Sequence, residues 1–305
     1  MSEGIASGPV ACQNLPMFKR GALICFFAVL AFVAGRGQNT TVRELAPGVY
    51  FWQGDQPRKV PANCTWIVLK DYVVVVDANF PPAAKEILAE IRKTTGKPIR
   101  FLFDTHWHGD HTAGNGVYLE AGATIVCSQA CAEELRAPRP GGKPPFNAPA
   151  SLTFDGRMAF DDGERRIELT RLGPAHSKGD AVAYLPKEKI LIAGDLCVNW
   201  NYGNMVADAN ADHDNWIRAL DTLSQWDVRT VVPGHGSLGT TETLRAQRAY
   251  LADMLQQVRA GLKAGKTADQ LAAEIDLTKH GSFGANAQQN AISIRAIYRK
   301  LAPAR

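Results

Sequence analysis

Residues 103–115 read "FDTHWHGDHTAGN", which crowds His106, His108, Asp110 and His111 together in a chain of 305 residues that holds only 7 histidines. Imidazoles at i and i+2 on a tight loop after a strand aim two ring nitrogens at one point. Asp110 and His111 aim at a second point a few ångströms away. Three imidazoles packed this closely repel one another once protonated and compete for one space, so a cation is what lets them coexist. Divalent metals such as zinc take nitrogen and carboxylate ligands at about 2.0–2.2 Å, and two ions require about six or seven ligands between them. More ligands are therefore expected downstream.

Three candidates lie there. "GPAHSKGD" supplies His176 on a loop after a strand, "LIAGDLCVN" supplies Asp195 at the end of an apolar strand, and "VVPGHG" supplies His235 after another. Each sits where an apolar run gives way beside glycine, the place where a rigid scaffold presents site residues. Taken alone, His176 or His235 reads more plainly as a loop histidine and Asp195 as a helix cap. It is their joint order behind the opening cluster that favours metal. His213 and His280 have no comparable setting and read as surface or cap residues.

Outward from the cluster the chain alternates strands and helices. "GVYFWQG", "CTWIVL", "YVVVVDANF" and "IRFLFDT" read as strands, the last two fully apolar and suited to burial. Pro81 and Pro82 open a helix through "AAKEILAEIRKTTG", with Gly96 marking its end. Gly116–Glu120 begins a helix, "ATIVCS" is a strand, and residues 137–149 form a Pro/Gly-rich loop. "MAFDDGERRIELTRL" turns at Asp162-Gly163 and "DAVAYLPKEKILIAGD" at Pro186–Lys189, both antiparallel signals. "DNWIRALDTLSQW" is helical, and residues 241–305 are helical throughout, with Tyr250, Leu251, Met254 and Leu255 on one side of a long amphipathic helix. That apolar side packs on the sandwich or, alternatively, forms a homodimer. The pattern predicts an α/β fold with two sheets and helices outside.

The set "THWHGDH", "GPAHSKGD", "LIAGDL" and "VVPGHG" resembles the metallo-β-lactamase-fold superfamily of metal-dependent hydrolases, over about residues 44–240. The resemblance implies a four-layer αβ/βα sandwich with a dinuclear site at one edge of the sheets, and here a C-terminal helical extension over 241–305. It implies that His106, His108 and His176 hold one metal, that Asp110, His111 and His235 hold the other, and that Asp195 bridges them. The β-lactamase subclass with a cysteine ligand has that cysteine where Asp195 stands, no histidine at the place of His111, and a substrate-gripping lysine where this chain has Val198. The bridging aspartate is similar instead to glyoxalase II and lactonase branches.

The chemistry so implied is hydrolysis of an ester, lactone, thioester or lactam by a hydroxide shared between two divalent ions, with zinc as the first expectation and manganese or iron as alternatives. Asp110 doubles as ligand and as the carboxylate that orients the nucleophile or passes a proton. Asp104, Thr105 and Asp180 are candidates to hold the ligand imidazoles from behind. Trp200 and Tyr202 are candidate walls for a small-molecule substrate. The rival from another class is an iron-dependent oxidoreductase of the same fold, similar to persulfide dioxygenases. A third reading, a catalytically silent secreted module, is weakened by the completeness of the ligand set.

Composition bounds the rest. A net charge of +4 with no dense Lys/Arg stripe excludes nucleic acid as a partner. No glycine-rich phosphate loop, dinucleotide fingerprint or GxSxG elbow occurs. Residues 1–36 read as a leader with a secretory signal: Lys19 and Arg20 precede the apolar run from Gly21 to Gly35, and Ala34 and Gly35 offer small residues for cleavage. That places the mature chain in the periplasm or outside the cell, without stable membrane contact. An uncleaved signal would make it an inner-membrane anchor, although a span normally needs about 20 apolar residues. Met17 is an alternative start. Of 6 cysteines, Cys12 and Cys25 fall in the leader, and Cys64, Cys127, Cys131 and Cys197 read as buried free thiols, with Cys127 and Cys131 on one helical turn.

Overall fold

The computed structural model describes residues 42–54, 62–138, 148–199, 208 and 210–302. The leader with Cys12 and Cys25, most of the Pro/Gly-rich loop, and the expected walls Trp200 and Tyr202 lie outside the described residues.

Chain order explains the first sheet. β1 (Val42–Ala46), β2 (Val49–Trp52), β3 (Cys64–Val68) and β4 (Val73–Val76) are successive antiparallel neighbours. Helix α1 (Pro81–Thr94) then carries the chain over to β5 (Ile99–Phe103), parallel to β4. α2 (Gly109–Thr112) and α3 (Asn115–Glu120) lead to β6 (Thr124–Ser128), and α4 (Gln129–Arg136) precedes β7 (Leu152–Phe154), giving a 7-stranded sheet in sequence order. The second sheet has 5 strands. β8 (Arg157–Asp161), β9 (Arg166–Arg171), β10 (Ala181–Leu185) and β11 (Ile190–Gly194) run antiparallel. α5 (His213–Leu223) then crosses to β12 (Thr230–Pro233), parallel to β11. α6 (Thr241–Lys263), α7 (Ala268–Glu274), a 3-10 stretch (Thr278–Phe283) and α8 (Ala287–Leu301) complete the chain.

The two-residue period of the apolar strands builds the layers. In β4, Val74 and Val76 face the second sheet, where they meet Ile167, Leu169, Ile190 and Ile192 in an inter-sheet core. Val73 and Val75 face the other way, toward Ala83, Ala84, Ile87 and Ile91 of α1. In β11, Leu191 and Ala193 turn outward to Trp216 and Leu220 of α5 and to Leu251 and Met254 of α6. Burying each such aliphatic side chain contributes about 1.5–3 kcal/mol. The four-layer arrangement is as the sequence predicts, and the apolar side of α6 packs on the second sheet.

The helix starts are written in the sequence. α1 carries proline in its first turn and Arg92 and Lys93 in its last, while Ser128 caps α4 by accepting from the Cys131 amide. Two expectations need correction. Cys127 closes strand β6 and Cys131 lies in α4, so they do not share a helical turn, because Ser128 between them ends the strand and caps the helix. All the described cysteines are free and buried. His213 is buried as the first residue of α5, whose cap is Asp212, so it is neither a surface nor a capping residue. His280 is half-buried and pairs with Asp253 at 2.9 Å. Among the described residues, no helix is long and apolar enough to cross a membrane.

Candidate metal centre

The carboxyl ends of β5, β11 and β12 open on the same edge of the two sheets. The chain leaves β5 through Asp104 and Thr105 into His106 and His108, and α2 starts at Gly109, so Asp110 and His111 stand on a helical turn rather than on the expected loop. His176 comes from the β9–β10 connection, Asp195 directly follows β11, and His235 follows β12 by two positions.

All seven predicted residues meet in two groups. His106 Nε2 and His176 Nε2 lie 3.1 and 2.9 Å from His108 Nδ1. Asp195 Oδ2 stands 3.4 Å from His176 Nε2 and 3.8 Å from His106 Nε2. On the other side, His235 Nε2 is 3.4 Å from His111 Nε2 and 3.3 Å from Asp110 Oδ2. Asp195 Oδ1 is 3.3 Å from both His111 Nε2 and His235 Nε2. One carboxylate thus faces a trio with each oxygen.

Electrostatics among these side chains is severe. Burial first, and then His111, pushes His106 well below the usual imidazole range. Burial works to raise the Asp195 carboxyl, but the charges on His235 and His111 overcome it and hold it far down. Asp110 is likewise drawn down against burial, by His111 and His235, to about 2. Burial lowers His235, but Asp195 and Asp110 carry it up to about 9.

These residues fit a pair of divalent cations. The deciding atom is Asp195 Oδ1, which is buried, stands 3.3 Å from two ring nitrogens, and yet receives no hydrogen bond. A buried carboxylate oxygen left so is costly. A cation at the focus of the converging lone pairs satisfies it together with the nitrogens that face it.

The supporting contacts fix ring tautomers. Asp77 Oδ2 lies 2.8 Å from His111 Nδ1 and takes the Thr105 hydroxyl at 2.9 Å, while Asp77 Oδ1 accepts from the Thr105 amide at 2.8 Å. Thr105 Oγ1 is 3.1 Å from His106 Nδ1. With the Thr105 proton given to Asp77, His106 Nδ1–H donates to Thr105, and Nε2 of both His106 and His111 is left as a lone pair aimed inward. Asp208 Oδ2 takes His108 Nε2 at 2.6 Å, which leaves Nδ1 of that ring as its inward atom. Asp77 holds φ at +63°, a left-handed conformation that aspartate tolerates better than most residues, and this bend turns its carboxylate toward the site.

Of the supports expected from sequence, Thr105 reaches a ligand imidazole. Asp180 acts on the backbone instead, accepting from the amides of Ser177 at 2.8 Å and Ala175 at 3.2 Å on either side of His176. Asp104 turns away to accept from Asn115 Nδ2 at 2.7 Å, since the alternation along β5 points it opposite to Thr105. Sequence reasoning missed Asp77, Asp208 and Asn63. Asn63 Nδ2 donates to Pro233 O at 2.8 Å and Gly236 O at 2.9 Å, clasping the loop that carries His235. Gly234 is required beside it: a Cβ there would stand 2.0 Å from Asp195 Oδ1.

Residues 57–235 match the sequence model of the metallo-beta-lactamase superfamily. The chain is similar to "Metallo-beta-lactamase type 2" of Bacteroides fragilis, with 25% identity over 191 residues, 61% of this chain and 73% of that one. It is similar to the protein of the same name from Elizabethkingia meningoseptica, with 25% identity over 180 residues, 58% of this chain and 70% of that one. Among solved structures, a metallo-beta-lactamase from Pontibacter korlensis superposes with a TM-score of 0.60 at 26% identity, covering 70% of this chain and 98% of that one. The sec-alkylsulfatase Pisa1 from Pseudomonas sp. reaches a TM-score of 0.66 over 86% of this chain and 50% of its own, at 17% identity, a likeness of fold alone.

Proposed function

The chain belongs to the metallo-beta-lactamase superfamily, and on that premise we propose that it is a hydrolase with two divalent ions bridged by Asp195, acting on an ester, lactone, thioester or lactam. Family membership makes it a metal-dependent hydrolase. The dinuclear reading rests on one observation, the Asp195 carboxylate facing His106 and His176 with Oδ2 and His111 and His235 with Oδ1, and the bond class rests on the likeness of this ligand set to the glyoxalase II and lactonase branches. His106, His108 and His176 would hold one ion, and Asp110, His111 and His235 the other.

Divalent cations held by these residues would supply Lewis-acid polarisation of the electrophile's oxygen and a water made acidic enough, with a pKa toward about 7, to act as nucleophile. The protein's own residues do the rest. Asp77, Thr105 and Asp208 keep the imidazoles of His111, His106 and His108 in the tautomers that leave lone pairs pointing inward. Asp110, whose side chain is 19% exposed, is the more open of the two site carboxylates, so Oδ2 is placed to take a proton from the nucleophile and deliver it to the leaving group. Asp195, His111 and His235 form a buried floor that excludes bulk water from behind. Zinc is the first expectation for the ions, given nitrogen-rich ligands with carboxylates.

The test is stoichiometric and catalytic together. Native mass spectrometry of the zinc-loaded chain should show two ions, and steady-state assays over esters, lactones, thioesters and β-lactams should give turnover that a His108→Ala control lacks. Less than one ion per chain, or no turnover above the control on any of these bonds, would overturn the reading.

A further inference from the structure

Two segments support the tri-histidine half away from the end of β5, the β9–β10 connection that carries His176 and the stretch with Asp208 that holds His108, and both are fastened to one side chain. Glu134 lies in α4 and is buried. Its Oε1 accepts from the Lys178 amide at 3.2 Å and from Asn210 Nδ2 at 3.1 Å, and its Oε2 accepts from the Gly179 amide at 3.1 Å. Lys178 and Gly179 follow His176 by two and three positions in the connection that presents it. Asn210 in turn donates its amide to Asp208 Oδ1 at 2.6 Å, and the other oxygen of Asp208 holds His108 Nε2 at 2.6 Å.

We propose that Glu134 is a positioning residue that couples the His176 loop to the Asp208 segment and so sets the geometry of the tri-histidine metal site. The inference rests on the dinuclear reading above. Three features carry it beyond packing. First, the carboxylate's partners come from both segments at once, so its loss releases His176 and the Asp208 support of His108 together. Second, the group is a buried acid whose partners are amide donors, while the neighbouring Lys178 ammonium turns outward to Glu133 at 2.7 Å. Burial without a paired cation lifts Glu134 to about 7, a cost that an apolar residue on the same face would avoid. Third, α4 is pressed against the same loop by a second contact: Ser128 Oγ donates to Gly179 O at 2.6 Å, and a Cβ on Gly179 would lie 2.2 Å from the Cys131 amide nitrogen. The helix start fixes the loop's height, and Glu134 fixes its lateral position relative to Asp208. The Asp110, His111 and His235 trio has no such dependence, since Asp77 and Asn63 hold it from the strand ends.

Stepwise metal binding separates this role from a merely structural one. Zn2+ is titrated calorimetrically into the full chain, with His176→Ala and His235→Ala identifying which step belongs to which trio. Glu134→Ala should weaken only the step that His176→Ala removes, by roughly 10–100-fold, the usual effect of an outer partner on a metal site. Glu134→Gln, which keeps one acceptor but turns an NH2 toward a donor, should fall between the two. Asn210→Ala, at an exposed position, should weaken the same step by less and leave the melting temperature unchanged, so the test does not depend on Glu134→Ala folding. At saturating Zn2+, kcat of Glu134→Ala should recover toward wild type. If wild type binds two ions and Glu134→Ala and Asn210→Ala leave both steps unchanged, or weaken both equally, the coupling role is wrong and the hydrolase reading stands. If wild type itself shows no two-step binding, both fall.

Discussion

The two trios around Asp195 are held in place by different means. Asp110, His111 and His235 stand on strand ends and on the helical turn next to them, and their supports, Asp77 and Asn63, belong to the sheet framework itself. His111 and His235 are fully buried. In the tri-histidine group His106 shares that framework through Thr105, but His176 and His108 depend instead on the β9–β10 connection and on Asp208, segments joined to the framework through α4, and His108 is only half-buried. In one half, metal geometry and folding stability are the same property; in the other they separate, so side chains that touch no ligand can adjust affinity there.

The comparison can be broken at its shared point first. Asp195→Ala removes the carboxylate common to both trios, and turnover should fall by at least about 100-fold with the second ion lost, because even outer partners of metal sites cost about 10–100-fold. Retention of two ions by native mass spectrometry would contradict the bridge. Asp77→Ala should show the fusion of site and fold. It strands the Thr105 donors and His111 Nδ1–H in the interior, at a cost of about 3–5 kcal/mol of stability in a denaturant melt, with the His235 step of metal binding weakened in parallel. Should the fold survive unchanged, the framework account of this trio is wrong.

Gly234→Ala places a methyl 2.0 Å from Asp195 Oδ1. It should cost about 1–3 kcal/mol and disturb both metal steps, since either the loop or the bridging carboxylate must move. Protons sharpen the contrast further. At pH 7 His235, raised to about 9, carries a proton that a cation must displace, so Zn2+ binding should release protons and that step should tighten as pH rises toward about 9. Calorimetry in two buffers of different ionisation enthalpy reads this directly; identical heats would refute it.

The smallest effect belongs to Glu134. Its folded pKa of about 7 lies above the ordinary 4.5, so folding takes up a proton in this window. The stability is present in full below about 4.5 and is lost as pH rises through about 7, by about 1–2 kcal/mol after allowance for solvent screening. Glu134→Gln should flatten that part of the profile. Asp180, also raised by burial to about 7, should keep the remainder.

Much of this was legible in the chain because ligands and buried strands carry strong local signals. Val73–Val76 and Ile190–Gly194 are apolar without interruption, and the HxHxDH spacing has few other uses. The supports carry no such mark. Asp77 reads as a turn residue after a strand, and only its left-handed backbone turns it onto His111. Asp208 lies in a polar stretch far from His108 in sequence, and Glu134 is one of two adjacent glutamates, of which the neighbour Glu133 faces solvent. Which acid points inward is decided by tertiary packing. Cys127 and Cys131 are parted by a local cause instead, since a four-residue spacing suits a helical turn unless a cap such as Ser128 intervenes.

The provenance of the ligands has a mechanical consequence. In each trio two members hang from the sheet that contains β5, and the third, with Asp195, hangs from the sheet that contains β11 and β12. An ion seated in either trio is therefore a rivet through both layers, and the sheets cannot slide apart or splay at that rim without shearing its bonds. Loaded chain should open from the opposite rim, whereas chelated chain is free to open from this one.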